Sequence, residues 1–376
     1  MHILVTADTI GGVWTYTREL VTGLAARGIR ITLVSFGGVP VGAQRAWLEG
    51  LAGVTYLPTG FGLEWMEDAA GEIRDSTRYL RSVIQERRPD LLHLSQYCYG
   101  SLDVSQPKVV VAHSDVMSWS QAVQRALPDD AWAAWYRKTV EEGLAGADVV
   151  VAPSRWMLDC IEDIYGQQPN SRVVYNGRTP SLFDSLAGKR DYAASVGRLW
   201  DEGKQWQLLM QLRELPLPIL LAGATALAGE QPDESIAKRT GGGARIQGAH
   251  GIELRGQLSE GEMRELLSRA AIYVATSKYE PFGLAPLEAA LSGCAILAND
   301  IPSLHEIWGD AACYFRRNDA ESLGETLAAL HGDRERCANY ASRAYERARQ
   351  RYTADRMVDE YVQIYSALLE RRASAA

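Results

Sequence analysis

Short runs of β-branched and aliphatic residues alternate with helical patterns along nearly the whole chain, and the alternation is played twice. It begins at Ile3-Leu4-Val5, passes the glycine pair Gly11-Gly12, and enters a stretch where Leu20, Val21 and Leu24 share one helical face before Gly28 closes it. Further strands are expected at residues 29–34, 54–57, 91–94, 109–112, 149–152 and 172–175, with helices between most of them, notably 73–87 and 132–145. Strands this uniformly apolar are buried on both faces, the pattern of a parallel sheet joined by helical crossovers. A polar stretch at 184–191 then interrupts the rhythm as a linker. It restarts with strands at 192–196, 218–222, 252–255, 272–275, 295–298 and 314–315, and helical patterns at 205–212, 260–270, 285–291 and 320–330. The chain therefore divides into two Rossmann-like doubly wound α/β units, residues 1–184 and 185–353. A last helix over 354–371 carries Met357, Val358, Tyr361, Ile364, Tyr365 and Leu368 at three-to-four spacing, so one face must be buried. Residues 233–250 are glycine-rich and expected as a loop.

Length agrees with two domains: 376 residues at roughly 100–200 per domain. A net charge of −8 argues against a protein that coats nucleic acid or anionic lipid. The five cysteines are odd in number and show no CxxC pair, which argues against a disulfide frame or a zinc site and fits a reducing cytoplasm. The first residues, MHILVTADTIGG, lack the basic and apolar regions of a signal peptide. Apolar runs fall far short of the ~20 residues needed to span a bilayer, so membrane contact is limited to peripheral docking at the inner face.

Two such units imply a ligand cleft outside the carboxyl ends of both sheets. The motifs that carry chemistry all follow strands. Glu280-Pro281-Phe282-Gly283-Leu284-Ala285-Pro286-Leu287-Glu288 follows the strand at 272–275. It places the amides of Phe282, Gly283 and Leu284 at a helix N-terminus, where anions and hydroxyls bind, and sets two carboxylates near the same ligand. Ser195-Val196-Gly197-Arg198-Leu199-Trp200-Asp201-Glu202-Gly203-Lys204 follows the first strand of the second unit. No Asp-x-Asp occurs in the chain, so no metal site is expected. Fixed cations in this element can bind an anionic ligand, each contact being worth about 4 kcal/mol at 4 Å and an effective dielectric near 20. Arg198 and Lys204 suit that work. Gly11-Gly12 lets a phosphate approach the backbone, with Asp8 and Tyr16 at the same mouth. His113 ends a buried strand and points to the cleft, with Asp115 two residues on; His2, His93, His250, His305 and His331 lack such a context. Ser154, Asn176-Gly177 and Gly256-Gln257-Leu258 are weaker signals. Among ten tryptophans, Trp119, Trp132, Trp135 and Trp156 are expected mainly in the core, with an acceptor platform or membrane-facing surface as the alternative.

The Glu-Pro-Phe-Gly…Glu stretch resembles the signature of the retaining GT-B glycosyltransferases of family 4, and the glycine pair, the histidine, the Gly-Arg-Leu…Lys element and the final helix extend that resemblance over nearly the whole chain. It implies two Rossmann-like domains facing across a cleft, with the C-terminal helix crossing back to the first. It implies transfer of a hexose from a nucleoside-diphosphate sugar to an acceptor hydroxyl with retention, without metal or cofactor. UDP-glucose is the first expectation and a GDP-sugar the second. The acceptor would be a glycan, a lipid-linked molecule or a small molecule, with no nucleic-acid partner. By the resemblance Arg198 and Lys204 hold the diphosphate, and Gly12 meets phosphate and sugar. Glu280 and the Phe282–Leu284 amides hold sugar hydroxyls, Glu288 the ribose, Leu258 the base, and His113 the reacting sugar. Three departures stand out. Lys204 lies six rather than five residues after Arg198. Asn-Gly-Val-Asp becomes Asn176-Gly177-Arg178-Thr179. His-Asp becomes His113-Ser114-Asp115. The rival readings are a GT-B phosphorylase or epimerase, a two-lobed solute-binding protein, and a dehydrogenase, although the Gly-x-Gly-x-x-Gly fingerprint of the last is absent.

Overall fold

The computed structural model describes residues 1–67, 69–127, 130–226 and 251–375. The glycine-rich stretch at 233–250 lies outside the described residues.

The first unit comprises residues 1–177 and the C-terminal segment from 354. Its seven strands are β1 (His2–Asp8), β2 (Arg30–Phe36), β3 (Val54–Pro58), β4 (Leu91–Leu94), β5 (Lys108–Val111), β6 (Val149–Ala152) and β7 (Ser171–Val173). They form one parallel sheet in the order β3-β2-β1-β4-β5-β6-β7. Every residue of β1 is buried, as a central parallel strand covered on both faces requires. The crossovers carry α1 (Gly12–Ala26), α2 (Ala70–Arg87), α3 (Val116–Val123), α4 (Asp130–Ala145) and α5 (Arg155–Tyr165). Gly28 ends α1 as expected. At φ +73° its amide donates to Ala25 while that of Ile29 donates to Leu24, a Schellman close.

The second unit is residues 178–353. Its strands are β8 (Arg190–Val196), β9 (Ile219–Ala222), β10 (Ile252–Gly256), β11 (Ala270–Ala275), β12 (Ala295–Asn299) and β13 (Cys313–Phe315), all parallel in the order β10-β9-β8-β11-β12-β13. Its described helices are α6 (Glu260–Arg269), α7 (Leu284–Leu291), α8 (Pro302–Trp308), α9 (Ala320–Gly332) and α10 (Arg334–Arg351). The pattern expected as a helix at 205–212 is a 3-10 helix, Trp206–Gln211, entered through Gln205 at φ +48°.

The final helix is longer than the sequence pattern predicts. As α11 (Ala354–Ala375) it packs its apolar stripe of Met357, Val358, Tyr361, Tyr365 and Leu368 into the core of the first unit. It can lie close on α1 because Gly23 has no side chain. A Cβ there would stand 2.6 Å from Val358 Cγ2. Arg27, the C-cap of α1, and Asp359 of α11 pair at 2.6 Å beside this contact.

The junction falls at 177/178, not at 184. Residues beyond Gly177 pack with the second unit because Arg178 is buried there against Glu288, and its amide donates to Tyr352 O. Nor is 184–191 only a polar connector. Lys189 Nζ donates to the carbonyls of Ser268 and Ser292 at 3.0 and 2.6 Å, satisfying C-terminal carbonyls of α6 and α7 where a cation is favoured. Among the described residues, no helix is long and apolar enough to cross a membrane.

Candidate functional site

In the second unit, two loops at the carboxyl ends of neighbouring strands β8 and β11 are tied into one structure. The backbone of Gly203 accepts from the amide of Lys278 at 2.9 Å, and Thr276 Oγ1 donates to Lys204 O at 2.8 Å. Asn299, fully buried at the end of β12, braces the second loop by donating to Ser277 O at 3.1 Å. This framework brings two of the expected site residues into contact: Lys204 Nζ lies 2.6 Å from Glu280 Oε2. Both side chains are largely withdrawn from water, 20% and 11% exposed, and Ser277 Oγ donates to the same carboxylate oxygen at 2.9 Å. The charge-assisted contact in such a site is stronger than its surface equivalent.

Arg198 stands on the β8 loop, three residues before its partner. Its Nη2 contacts Asp201 Oδ2 at 2.7 Å, and its guanidinium lies 5.2 Å from the Trp200 ring centroid. Asp201 is held in turn by the amide of Gly203 at 2.8 Å. Arg198 remains 40% exposed, so it stays accessible to a ligand. Each cation expected to meet phosphate thus faces a fixed carboxylate. The floor of this loop is glycine by necessity. Gly223 at φ +148° comes so near β8 that a Cβ would stand 1.6 Å from Gly197 O.

The rest of the motif behaves as a helix start. Gly283 takes φ +92° as the residue before α7, where a side chain would be strained and would meet Pro286 and Glu280. Phe282 is buried edge-on against Tyr352 at 5.4 Å, so its side chain is structural and only its amide is offered. Leu284 is half-buried. Glu288 sits apart from the Lys204–Glu280 contact, with Arg178 Nε 2.9 Å from its Oε1. Leu258 is half-buried on the loop after β10, immediately before the capping box Ser259–Glu262 that opens α6.

In the first unit the expectations are partly redrawn. His113 is half-buried after β5, with Nε2 3.3 Å from Ser95 Oγ. Burial pushes its pKa down to about 3, so it is a neutral imidazole at neutral pH. Asp115 has structural work of its own. Its carboxylate caps α3 by accepting from Ser118 N at 2.7 Å and takes the hydroxyls of Tyr136 and Tyr165 at 3.1 and 2.7 Å. The residue in the left-handed region of the glycine pair is Gly11, at φ +77°; Gly12 is the exposed first residue of α1. Asp8 accepts from the amide of Ile10 at 2.6 Å and from the Trp65 indole at 3.3 Å.

Tyr16, expected at the mouth of the glycine turn, is instead core. It is fully buried, its ring stands edge-on to His113 at 4.5 Å, and its hydroxyl lies 3.1 Å from His93 Nε2. His93, which had no sequence context, is the centre of this network. Its Nδ1 lies 2.7 Å from the hydroxyl of Tyr365 on α11, and burial, reinforced by nearby His113, lowers its pKa to about 3. A lone histidine inside an apolar strand was the available signal. Ser154 and Asn176 are buried, and Ser154 caps α5 through Met157 N at 3.1 Å. The four tryptophans of the first unit expected mainly in the core are all half-buried; Trp132 spends its indole N–H on Met66 O at 3.1 Å. Fully buried tryptophans occur instead at Trp206 and Trp308 of the second unit. Among the described residues, no group of three or more His, Cys, Asp or Glu is placed to hold a metal ion.

Two family models tile the chain. That of Glycosyltransferase Family 4 matches residues 10–182 and that of Glycosyl transferases group 1 matches residues 185–347. Curated relatives include the alpha-maltose-1-phosphate synthase of Mycolicibacterium smegmatis, 25% identical over 73% of this chain and 75% of the relative. They also include O-antigen chain mannosyltransferase C of Escherichia coli, 25% identical over 97% of this chain and 96% of that one. Among solved structures, sucrose-phosphate synthase of Thermosynechococcus elongatus superposes with a TM-score of 0.78 at 16% identity, over 99% of this chain and 100% of the other. HepE of Anabaena, solved with UDP and glucose, gives 0.74 at 16% identity over 98% and 100%. With both halves matched in sequence and the two parallel-sheet α/β units matched in fold, the chain belongs to the group 1 glycosyltransferases, its amino-terminal part being of the family 4 type and its architecture GT-B.

Proposed function

We propose that this glycosyltransferase moves a hexose from a nucleoside diphosphate to an acceptor hydroxyl with retention at the anomeric carbon and without a metal ion. UDP-glucose is the first donor and a GDP-sugar the second. The observation that carries the reading is the contact of Lys204 with Glu280 on loops held together at the carboxyl ends of β8 and β11, with Arg198 accessible on the same loop. Arg198 and Lys204 take the diphosphate. Glu280 and the amides of Phe282, Gly283 and Leu284 take the sugar hydroxyls, Glu288 the ribose and Leu258 the base. On the first unit, the amide of Gly12 meets phosphate and sugar, and His113, neutral at working pH, hydrogen-bonds the hexose. The bond from the anomeric carbon to the phosphate oxygen breaks while the acceptor oxygen bonds to that carbon, and the acceptor proton passes to the leaving phosphate. The residues position and stabilise charge, and Arg198 and Lys204 gain as the leaving group becomes more negative. Support for the donor comes from HepE, solved with UDP-glucose, and for a glycan acceptor from the O-antigen mannosyltransferase. Both names carry a hexose, glucose as a bound donor in the one and mannose in the other. Docking at the inner face of the membrane accompanies the reading if the acceptor is lipid-linked.

Thermal shift against UDP, GDP, ADP, dTDP and NAD tests the donor class. UDP should stabilise most and NAD not at all, and Arg198→Ala should erase the nucleotide shift. Glu280→Gln keeps a neutral partner for Lys204, so melting should move little while transfer falls about 10²–10³-fold. Stabilisation by NAD and by none of the nucleoside diphosphates, or near-normal turnover in either variant, overturns the proposal.

A further inference from the structure

Arg178 replaces the valine of the family's Asn-Gly-Val-Asp pattern, and the fold gives it a place that no local spacing announces. Its side chain is only 4% exposed. The guanidinium carbon lies 5.3 Å from the ring centroid of Phe183, the amide donates to Tyr352 O at 3.0 Å, and the backbone bridges to Thr353. The residue is therefore pinned by backbone and ring, independently of Glu288. From that anchorage Nε reaches to 2.9 Å from Glu288 Oε1, across 110 positions of sequence. Glu288 itself is 16% exposed, so part of it still faces solvent.

An arginine cannot lose its proton, and a buried guanidinium without a counter-charge is costly. Glu288 must consequently remain an ionised carboxylate, which only accepts hydrogen bonds. The two hydroxyls of a ribose diol donate, and an acceptor-only group held in one orientation is complementary to them. A protonated or freely rotating glutamate would be less so. Resting on the reading of Glu288 as the ribose contact, we infer that Arg178 is a positioning residue for the nucleoside: it keeps Glu288 charged and aimed, so that recognition of the ribose diol belongs to the pair.

The experiment is calorimetric titration of the full chain with UDP and with 2′,3′-dideoxy-UDP, or with the GDP pair if GDP gives the larger thermal shift. Wild type should favour the ribose form by about 10–100-fold, the range of a hydrogen bond to a charged group. In Arg178→Met the preference should collapse to within about threefold, through weaker binding of the ribose form alone, and Arg178→Lys should restore part of it. A merely structural role would weaken both nucleotides equally. If wild type discriminates and Arg178→Met discriminates as well, the inference is overturned while the role of Glu288 stands. If wild type does not discriminate, the reading of Glu288 itself fails. Should Arg178→Met not fold, Arg178→Lys decides, and an undiminished preference in that variant overturns the inference.

Discussion

At the scale of single residues, the chemistry-bearing motif is the part most legible in sequence. Glu280 and Gly283 are fixed by local needs, a carboxylate on a strand-end loop and a left-handed residue before a helix, and local needs leave local patterns. Partners distant in sequence leave none. Nothing near Tyr16, His93 or Arg178 announces His113, Tyr365 or Glu288, and the lone histidine is the residue whose role is least legible in sequence. His93 also sets a pH dependence. Its two ring nitrogens face the hydroxyls of Tyr16 and Tyr365, neither of which is a counter-charge, and burial with His113 nearby holds its folded pKa at about 3, below the ~6.5 of an unfolded histidine. The unfolded chain therefore binds the proton first. The associated stability is complete above pH ~6.5 and is lost as pH falls from there toward 3, by up to about 1.4 kcal/mol per pH unit. His93→Gln retains one donor and one acceptor but cannot titrate. Its melting temperature should fall less between pH 7.5 and pH 5 than that of wild type, and an equal fall in both would show that His93 is not the acid-sensitive group.

At the scale of elements, the strands are legible to within three residues at each end because parallel strands buried on both faces are continuous apolar runs. The helices were read less evenly. The pattern at 205–212 has helical spacing, yet Gln205 turns left-handed and Thr276 Oγ1 takes the carbonyl of Lys204, so the segment tightens into a 3-10 helix. Helix α10 leaves no legible pattern because its fully buried positions are Ala344 and Ala348, too small to make an apolar stripe. Small residues can nevertheless fix a packing distance. Where α4 crosses the 3-10 helix Tyr97–Ser101, a Cβ on Gly143 would stand 1.9 Å from Tyr97 O, and one on Gly146 would stand 2.4 Å from Gly100 O. Both obstacles are backbone, which cannot swing aside as a side chain can. Gly143→Ala should accordingly cost at least about 2–3 kcal/mol of unfolding free energy in urea denaturation, although alanine is the better helix former. A loss below 0.5 kcal/mol would mean that α4 shifts freely and that the crossing is not tight.

At the scale of the whole molecule, the chain leaves its first unit at Gly177 and returns to it at Ala354, so the first unit is closed only by the last helix. The apolar spacing of 354–371 showed that one face of this helix is buried; what it covers, Leu20, Val21 and Leu24 of α1 beside the buried His93, became visible only in three dimensions. Met357, Val358, Tyr361 and Tyr365 are fully buried there and Leu368 nearly so. At about 1.5–3 kcal/mol for each large apolar side chain withdrawn from water, these five contribute on the order of 10 kcal/mol. That is comparable with the 5–15 kcal/mol by which a folded protein is usually stable. The hydroxyl of Tyr365 adds a partner that His93 would lose inside an apolar core. A chain ending at Thr353 should therefore lose the cooperative unfolding of its first unit. Limited proteolysis should cut it throughout residues 1–177 while fragments of 178–353, which have a hydrophobic cluster of their own, persist longer. If the truncated chain instead melts within a few degrees of the full one and resists cleavage in 1–177, then α11 is a cover and not a part of the core.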